Sequence, residues 1–389
     1  MTVRRTTRRA VPGAFLIALC TAPPQPADAQ ERTGPAAGYD EGFFIESADG
    51  NHRLVVGARA QARYAFETRQ GAPDQSRFSI PSARLQLTGH TLTEVLTYAF
   101  GADFGEGRVS LADLYVDYAL VPKACHLRAG QWKMPFSRQR ITSAGRLQFV
   151  DRAVTDEAFG AGRDVGIAIH DDYEASPRIE YALGLFNGTG EAGVLSGEVM
   201  TDPASGAGEI TSGAFSNVPD VFNPTLVARV GYNDGGLDGY SESDFDGGPL
   251  RLGIAASGLA DFEADRDDDS SVRAEIDYVA KVQHFSSTGG IYLWSHQTGP
   301  EFSDRAVKAI GGYAQIAYLI GNLVEPGFRY EAIEPDGSNN TDHLLTLALS
   351  VYPFEHEFKW QTDGTAMLPN AREGGAPDYR LRSQLQLAF

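Results

Sequence analysis

Cysteine is nearly absent from this sequence, with only Cys20 and Cys125 in 389 residues. No disulfide framework can carry the fold. No apolar run approaches the roughly 18 residues that a membrane-crossing helix requires. Helical periodicity is weak throughout, which argues against bundles and α/β folds. Lysine is scarce: Lys123, Lys133, Lys281, Lys308 and Lys359 are all of it, so the other 28 of the 33 basic residues are arginine. No Gly-x-Ser-x-Gly or Walker motif occurs, and the eight histidines show no zinc-like spacing with cysteine. No catalytic residue, metal or cofactor is expected. Basic residues are not interleaved with aromatics, so nucleic acid is not an expected partner.

What is present begins with an export pattern. Arg4, Arg5, Arg8 and Arg9 precede a short apolar stretch from Val11 to Cys20, and Ala27-Asp28-Ala29 fits a small-x-small cleavage site. Residues 1–29 are expected to be a signal peptide. Their net +3 would be removed with them, leaving a chain of −21 from the full −18. Residues 30–51 read as a short lead-in, and residues 52–389 as one domain.

The mean hydropathy of −0.26 suits a soluble protein. It equally suits a transmembrane β-barrel, because only alternate residues of each strand face lipid. The alternation decides between them. In His52–Thr68, Leu54, Val56, Ala58, Ala60, Ala62, Tyr64 and Phe66 share one face, while Arg53, Arg59, Gln61, Arg63 and Glu67 share the other. Similar stripes recur at 96–104, 113–120, 272–283, 345–351 and 354–361. The chain ends in the same way, with Leu381, Leu385, Leu387 and Phe389 opposite Arg380, Arg382, Gln384 and Gln386. At roughly 22 residues per strand and connection, about 360 residues give about 16 strands. The expected fold is all-β, a transmembrane antiparallel β-barrel. Val351–Phe354 reads as a tight turn. Gly188–Asn223 and Asp234–Pro249 read as long external loops. A secreted soluble β-protein would also alternate, but leader and last strand together favour the membrane barrel.

Several segments resemble the phosphate-selective porins, the porin O and P family of Gram-negative outer membranes. They are Leu127-Arg-Ala-Gly-Gln-Trp-Lys-Met-Pro-Phe-Ser137, Phe149-Val-Asp-Arg152 followed by Gly162-Arg-Asp-Val-Gly166, Phe186-Asn-Gly188, and Glu325-Pro326 with Arg329-Tyr330-Glu331. Their order and spacing carry the resemblance across nearly the whole mature chain. It implies a 16-stranded barrel, a homotrimer, and a third extracellular loop folded inward as a constriction between Ser137 and Ala161. It also implies an arginine ladder leading anions to that constriction. The terminal aromatic Phe389 resembles the assembly signal of outer-membrane barrels, so the barrel-assembly machinery is an expected partner, alongside outer-membrane lipids and lipopolysaccharide.

A pore selects by fixed charge on its wet wall. Arg59, Arg63, Arg84, Lys359 and Arg382 fall on that face by parity, as do Lys281 and Arg380. Arg229 and Arg329 are placed in strands, and Lys133 sits in the porin-like segment. Arg138, Arg140, Arg146 and Arg152 crowd the constriction loop. Arginine suits phosphate because its planar fork binds two oxygens at once. Each of these arginines could equally brace the wall against a carboxylate. The acidic net charge runs against a simple anion funnel. Its acids concentrate in Asp261–Asp269 and in Asp234, Asp238, Glu242, Asp244 and Asp246, read as solvated loops. The expected function is passive diffusion of small anions such as phosphate. The alternatives are a general or weakly cation-selective porin, and an outer-membrane barrel enzyme, for which Asp164 and His170 lie near each other in sequence.

Overall fold

The period-two stripes become strands throughout. In the computed structural model of the chain, the structure describes residues 34–188, 194–201, 208–216, 222–262, 270–297, 306–334, 341–368 and 376–389. The expected signal peptide, residues 189–193, 202–207 and 217–221 of Gly188–Asn223, and residues 263–269 of the acidic run lie outside the described residues. A small hairpin comes first, β1 (Ala36–Tyr39) and β2 (Phe43–Glu46). Seven long strands follow: β3 (Arg53–Thr68), β4 (Gln75–Thr91), β5 (Thr93–Asp103), β6 (Ser110–Val121), β7 (Cys125–Lys133), β8 (Arg163–His170) and β9 (Ile179–Phe186). The separate hairpin β10 (Val194–Thr201) and β11 (Gly208–Ser216) interrupts them. Nine more complete the set: β12 (Thr225–Asp234), β13 (Arg251–Asp261), β14 (Ser270–Val282), β15 (Phe285–Gln297), β16 (Ala306–Tyr318), β17 (Val324–Glu334), β18 (Asp342–Phe354), β19 (Phe358–Leu368) and β20 (Asp378–Ala388).

β3–β9 and β12–β20 pair antiparallel with their neighbours, β9 pairing β12 directly. β20 pairs back onto β3, with Tyr379 opposite Thr68 and Ala388 opposite Arg59. The result is a closed barrel of sixteen strands, as the strand spacing predicts. Closure satisfies every wall strand on both edges, which a hydrocarbon environment demands. The short β20 leaves the first residues of β3 open, and β2 covers them, pairing Phe43 with Val56 and Glu46 with Arg53. Phe389 pairs with Ala58 at this junction.

The burial is inverted relative to a soluble protein. Leu347, Ile276, Val230 and Leu387 are among many large apolar side chains that point outward and are exposed. Arg229, Arg329, Glu331, Lys359 and Gln361 point inward and are buried. So large a continuous apolar exterior is not tolerated in water, but it is what a lipid-facing wall needs. The soluble alternative is excluded by this exterior.

Two expectations fail. The tight turn lies at 355–357, one step beyond Val351–Phe354, which continues β18 through Pro353 with a register shift. Pro353 is tolerated at this end because the ladder is already interrupted there. More consequentially, 235–250 is not an external loop. It joins β12 to β13 at the end that carries the short turns at 92, 122–124, 283–284, 319–323 and 355–357. Leu237, Tyr240, Ser241, Glu242, Ser243 and Asp244 in it are buried, so Glu242 and Asp244 are not solvated, whereas Asp234, Asp238 and Asp246 are exposed as expected. Glycine pairs explain the inward course. Gly235, Gly236, Gly247 and Gly248 all adopt positive φ, from 63° to 88°, and a Cβ on Gly247 would meet the His284 ring at 2.8 Å.

Candidate functional site

Residues 134–162, between β7 and β8, fold against the polar inner face of the barrel. The segment carries two short helices, α1 (Arg138–Ile141) and α2 (Val154–Phe159). Met134, Phe136, Ala153 and Phe159 pack with Trp132, Tyr292 and Tyr313 of the wall, giving it an apolar anchor. Polar contacts then reach around the barrel. Thr155 N donates to Glu331 of β17 at 3.0 Å, and Val150 N donates to Asp363 of β19 at 3.2 Å. Gln386 of β20 donates to Gly145 O at 3.1 Å. Ser137 bonds Asp156 and also the Tyr292 hydroxyl of β15.

The cations proposed from sequence separate into two groups. In the first, each is held by a carboxylate. Arg229 reaches Asp277 at 2.6 Å and Glu180 at 3.0 Å with no exposed side-chain surface on any of the three. Arg138 joins the same pair at 2.7 Å and 3.5 Å. Arg382 pairs with Asp363 and Asp151, Arg63 with Asp151, Arg329 with Glu331, and Arg140 with Asp156. These are braces between strands, or between segment and wall. Arg84 belongs with them, 3.3 Å from Asp103.

In the second group no carboxylate lies within ion-pair distance among the described residues. Lys133 donates its ammonium protons to the carbonyls of Ile141 and Thr142 at 2.9 and 3.0 Å. Arg152 donates to the same Thr142 carbonyl at 2.7 Å and to Gln139 O at 2.9 Å. Arg59 reaches the next residue along, Ser143, at 3.0 Å, and keeps a buried Nε without a partner. Three cations therefore converge on the 141–143 stretch, hydrogen-bonded to its carbonyls and the Ser143 hydroxyl, with Asp103, Asp113 and Asp156 near them but beyond ion-pair distance. Each lies in the Coulombic field of the others' neighbours, Arg84 and Arg163 among them. Lys133 and Arg152 are half-buried. Toward the loop end, a cavity of about 200 Å³ is lined by Arg84, Asp103, Arg108 and Arg163. Arg163 itself pairs with Asp113 at 2.8 Å. Sequence reading did not single out Arg163, although it lies in the porin-like Gly162–Gly166 stretch.

Two candidates stand apart. Lys359 is buried, donating to Leu147 O at 2.7 Å. Arg146 is exposed, with no ion pair among the described residues.

Asp117, His126 and His170 bring donor atoms within 4.8 Å of one another. The hydrogen bonds give this cluster another reading. Asp172 N donates to His170 Nδ1, which leaves the His170 Nε2 proton directed at Asp117, 2.8 Å away. Arg128 Nε donates to the same carboxylate at 2.7 Å. The lone pairs a cation would need already face protons. His170 thus takes Asp117 as its partner, whereas Asp164 accepts from the backbone of Val165 and Gly188. No acid–base dyad forms from Asp164 and His170.

Residues 55–229 match the family model of the phosphate-selective porins O and P. The resemblance read from sequence holds over that range, while its Glu325–Glu331 part lies outside it. No curated protein matches the chain in sequence. The fold is similar to that of the outer-membrane channel DcaP of Acinetobacter baumannii, at 12% identity and TM-score 0.57, over 90% of this chain and 99% of that one. It is also similar to an anion-selective porin of Comamonas acidovorans, at 11% identity and TM-score 0.54, over 86% and 99%. A third similar structure is the trimer form of OmpT of Vibrio cholerae, at 10% identity and TM-score 0.52, over 86% and 99%. The family match and the inverted burial place the chain in the outer membrane of a Gram-negative bacterium, and they point to a channel rather than an enzyme.

Proposed function

We propose that this outer-membrane barrel, matched by the phosphate-selective porins over residues 55–229, is a passive channel for small anions with phosphate among them. One observation carries the reading: Lys133, Arg152 and Arg59 meet around residues 141–143 without a carboxylate partner. A cation held only by carbonyls and hydroxyls keeps its net charge available. At a separation near 4 Å and an effective dielectric of about 20, each unit charge attracts a monovalent anion by about 4 kcal/mol before desolvation. Desolvation offsets much of that, which is what conduction needs, since a solute must leave as well as enter.

The 134–162 segment narrows the lumen in this reading and presses the path toward the wall carrying Arg84 and Arg163. Arg84 and Arg163, each paired with an aspartate, line that wall beside the outer cavity. The paired arginines hold the segment in place. The chain is exported by residues 1–29, assembles as a homotrimer, and presents the outward, half-exposed Phe389 to the assembly machinery.

The test is the reversal potential of the purified protein in a planar bilayer under a KCl gradient, followed by phosphate titration. An anion-side potential, with chloride current blocked by phosphate on the order of millimolar, supports the reading. A cation-side potential ends it. An anion-side potential without phosphate block keeps the anion channel and removes phosphate as its solute.

A further inference from the structure

The segment 235–250 enters the barrel from the opposite end to 134–162. It leaves the wall between the eighth and ninth barrel strands, β12 and β13, and reaches residues of the thirteenth and fourteenth, β17 and β18. That course crosses the lumen. Ser243 Oγ donates to Glu325 Oε2 of β17 at 2.8 Å and lies 3.0 Å from the Tyr352 hydroxyl of β18. Ser241 Oγ lies 3.2 Å from His356 Nε2 in the β18–β19 turn. Phe245 seats its ring edge-on to Tyr352 and His356, with both centroids at 5.1 Å. Asn322 donates to Phe245 O, and His284 N donates to Asp244 Oδ2 at 2.9 Å. The strap therefore touches three of the turns that rim this end.

It is also bolted to the segment entering from the other side. Glu242 makes three of these bonds. Its Oε1 accepts from Gln139 Nε2 at 2.9 Å, its Oε2 accepts from Gln148 N at 2.8 Å, and its own N donates to Arg146 O at 3.1 Å. Arg138 donates to Gly239 O at 3.2 Å. Tyr240 lies under the guanidiniums of Arg138 and Arg229, at 5.0 and 6.0 Å from its ring centre.

We propose that 235–250 is a second barrier in series with 134–162, closing the turn end of the lumen, and that Glu242 is the residue locking the two together. This rests on the channel reading. Burial and the nearby positive charges of Lys359, Arg146 and Lys281 push His356 well below the usual imidazole range. His356 is therefore a neutral partner for Ser241 at ordinary pH. Glycine pairs at both ends give the strap two points about which it can leave its seat. A three-residue turn would suffice to join β12 and β13, as 122–124 does for β6 and β7. The additional length serves the crossing.

The test compares single-channel conductance of three full-length proteins: the unaltered chain, a strap variant with 237–246 replaced by Gly-Ser, and Glu242→Ala. Unheated gel mobility establishes that each barrel is folded. The expected result is a conductance at least about twofold higher for the strap variant, with the sign of the reversal potential unchanged. E242A is expected to give frequent transitions between the two levels. A silent unaltered chain with a conducting strap variant supports the barrier equally. Folded strap and E242A variants with unaltered conductance and kinetics overturn it, while leaving the anion channel intact. If all three proteins are folded and silent, both readings fall.

Discussion

The inner wall treats positive charge in two ways. Around β9, β12 and β14, Arg229 and Arg138 are locked between Glu180 and Asp277, all four nearly or fully buried. Around β3, β7 and residues 141–152, Arg59, Lys133 and Arg152 hydrogen-bond to neutral oxygens and make no ion pair among the described residues. The residue types are alike, so type alone does not separate a brace from an ion contact. The number of carboxylates within reach does. A paired arginine has spent its field on its partner, and removing it leaves a buried charge uncompensated. An unpaired cation holds its field in a narrow, low-dielectric space, where it is strongest.

The sharpest break of this comparison is Arg229→Ala. It leaves Arg138 as the one guanidinium against the buried Asp277 and Glu180, so one carboxylate charge is uncompensated, at an expected cost of about 3–5 kcal/mol of stability. Urea unfolding and unheated gel mobility read the loss, and wild-type stability in R229A would dissolve the distinction. Next in size is the double reversal Lys133→Glu with Arg152→Glu. It is expected to lower the anion-to-cation permeability ratio by about tenfold or more, equivalent to roughly 1.4 kcal/mol, while the barrel stays folded. An unchanged reversal potential would remove these residues from the ion path. Arg59→Gln keeps a hydrogen-bonding side chain and loses one charge from the cluster. A drop in that ratio of about two- to threefold is expected, on the order of 0.5 kcal/mol, and gradient measurements on the single mutant check it. The smallest effect belongs to Arg108→Ala, whose pairing with Glu106 spans 3.9 Å at the exposed rim. Stability is expected to move by less than about 0.5 kcal/mol, and a larger change in urea midpoint would show that rim pairs matter here.

The barrel was legible because its signal is local. The stripe of Leu54 to Phe66 and the closing stripe of Leu381 to Phe389 each state a strand and its outward face without reference to any partner. Lys133 was singled out as a candidate through the porin-like segment around it. The partition of the arginines was not legible. Arg229 and Arg59 have the same parity, and nothing within a few residues of either announces Asp277, 48 residues away, or Ser143, 84 residues away. The strap was misread for a related reason. Its acids look solvated when no base stands near them in sequence, yet Asp244 finds Arg251 across the turn and Glu242 finds backbone and amide donors of another segment. The flanking glycine pairs were the one sequence sign of its sharp entry and exit.

Sequence by itself therefore determined the strands, their outward faces and the membrane setting, because alternation fixes which side of each strand meets lipid. The tertiary structure alone decided which cations are braces and which remain available. It also decided that a connection at the turn end crosses the lumen. Those outcomes depend on which strands and segments face one another across a closed barrel, and charge pairing over such distances leaves no periodic trace in the chain.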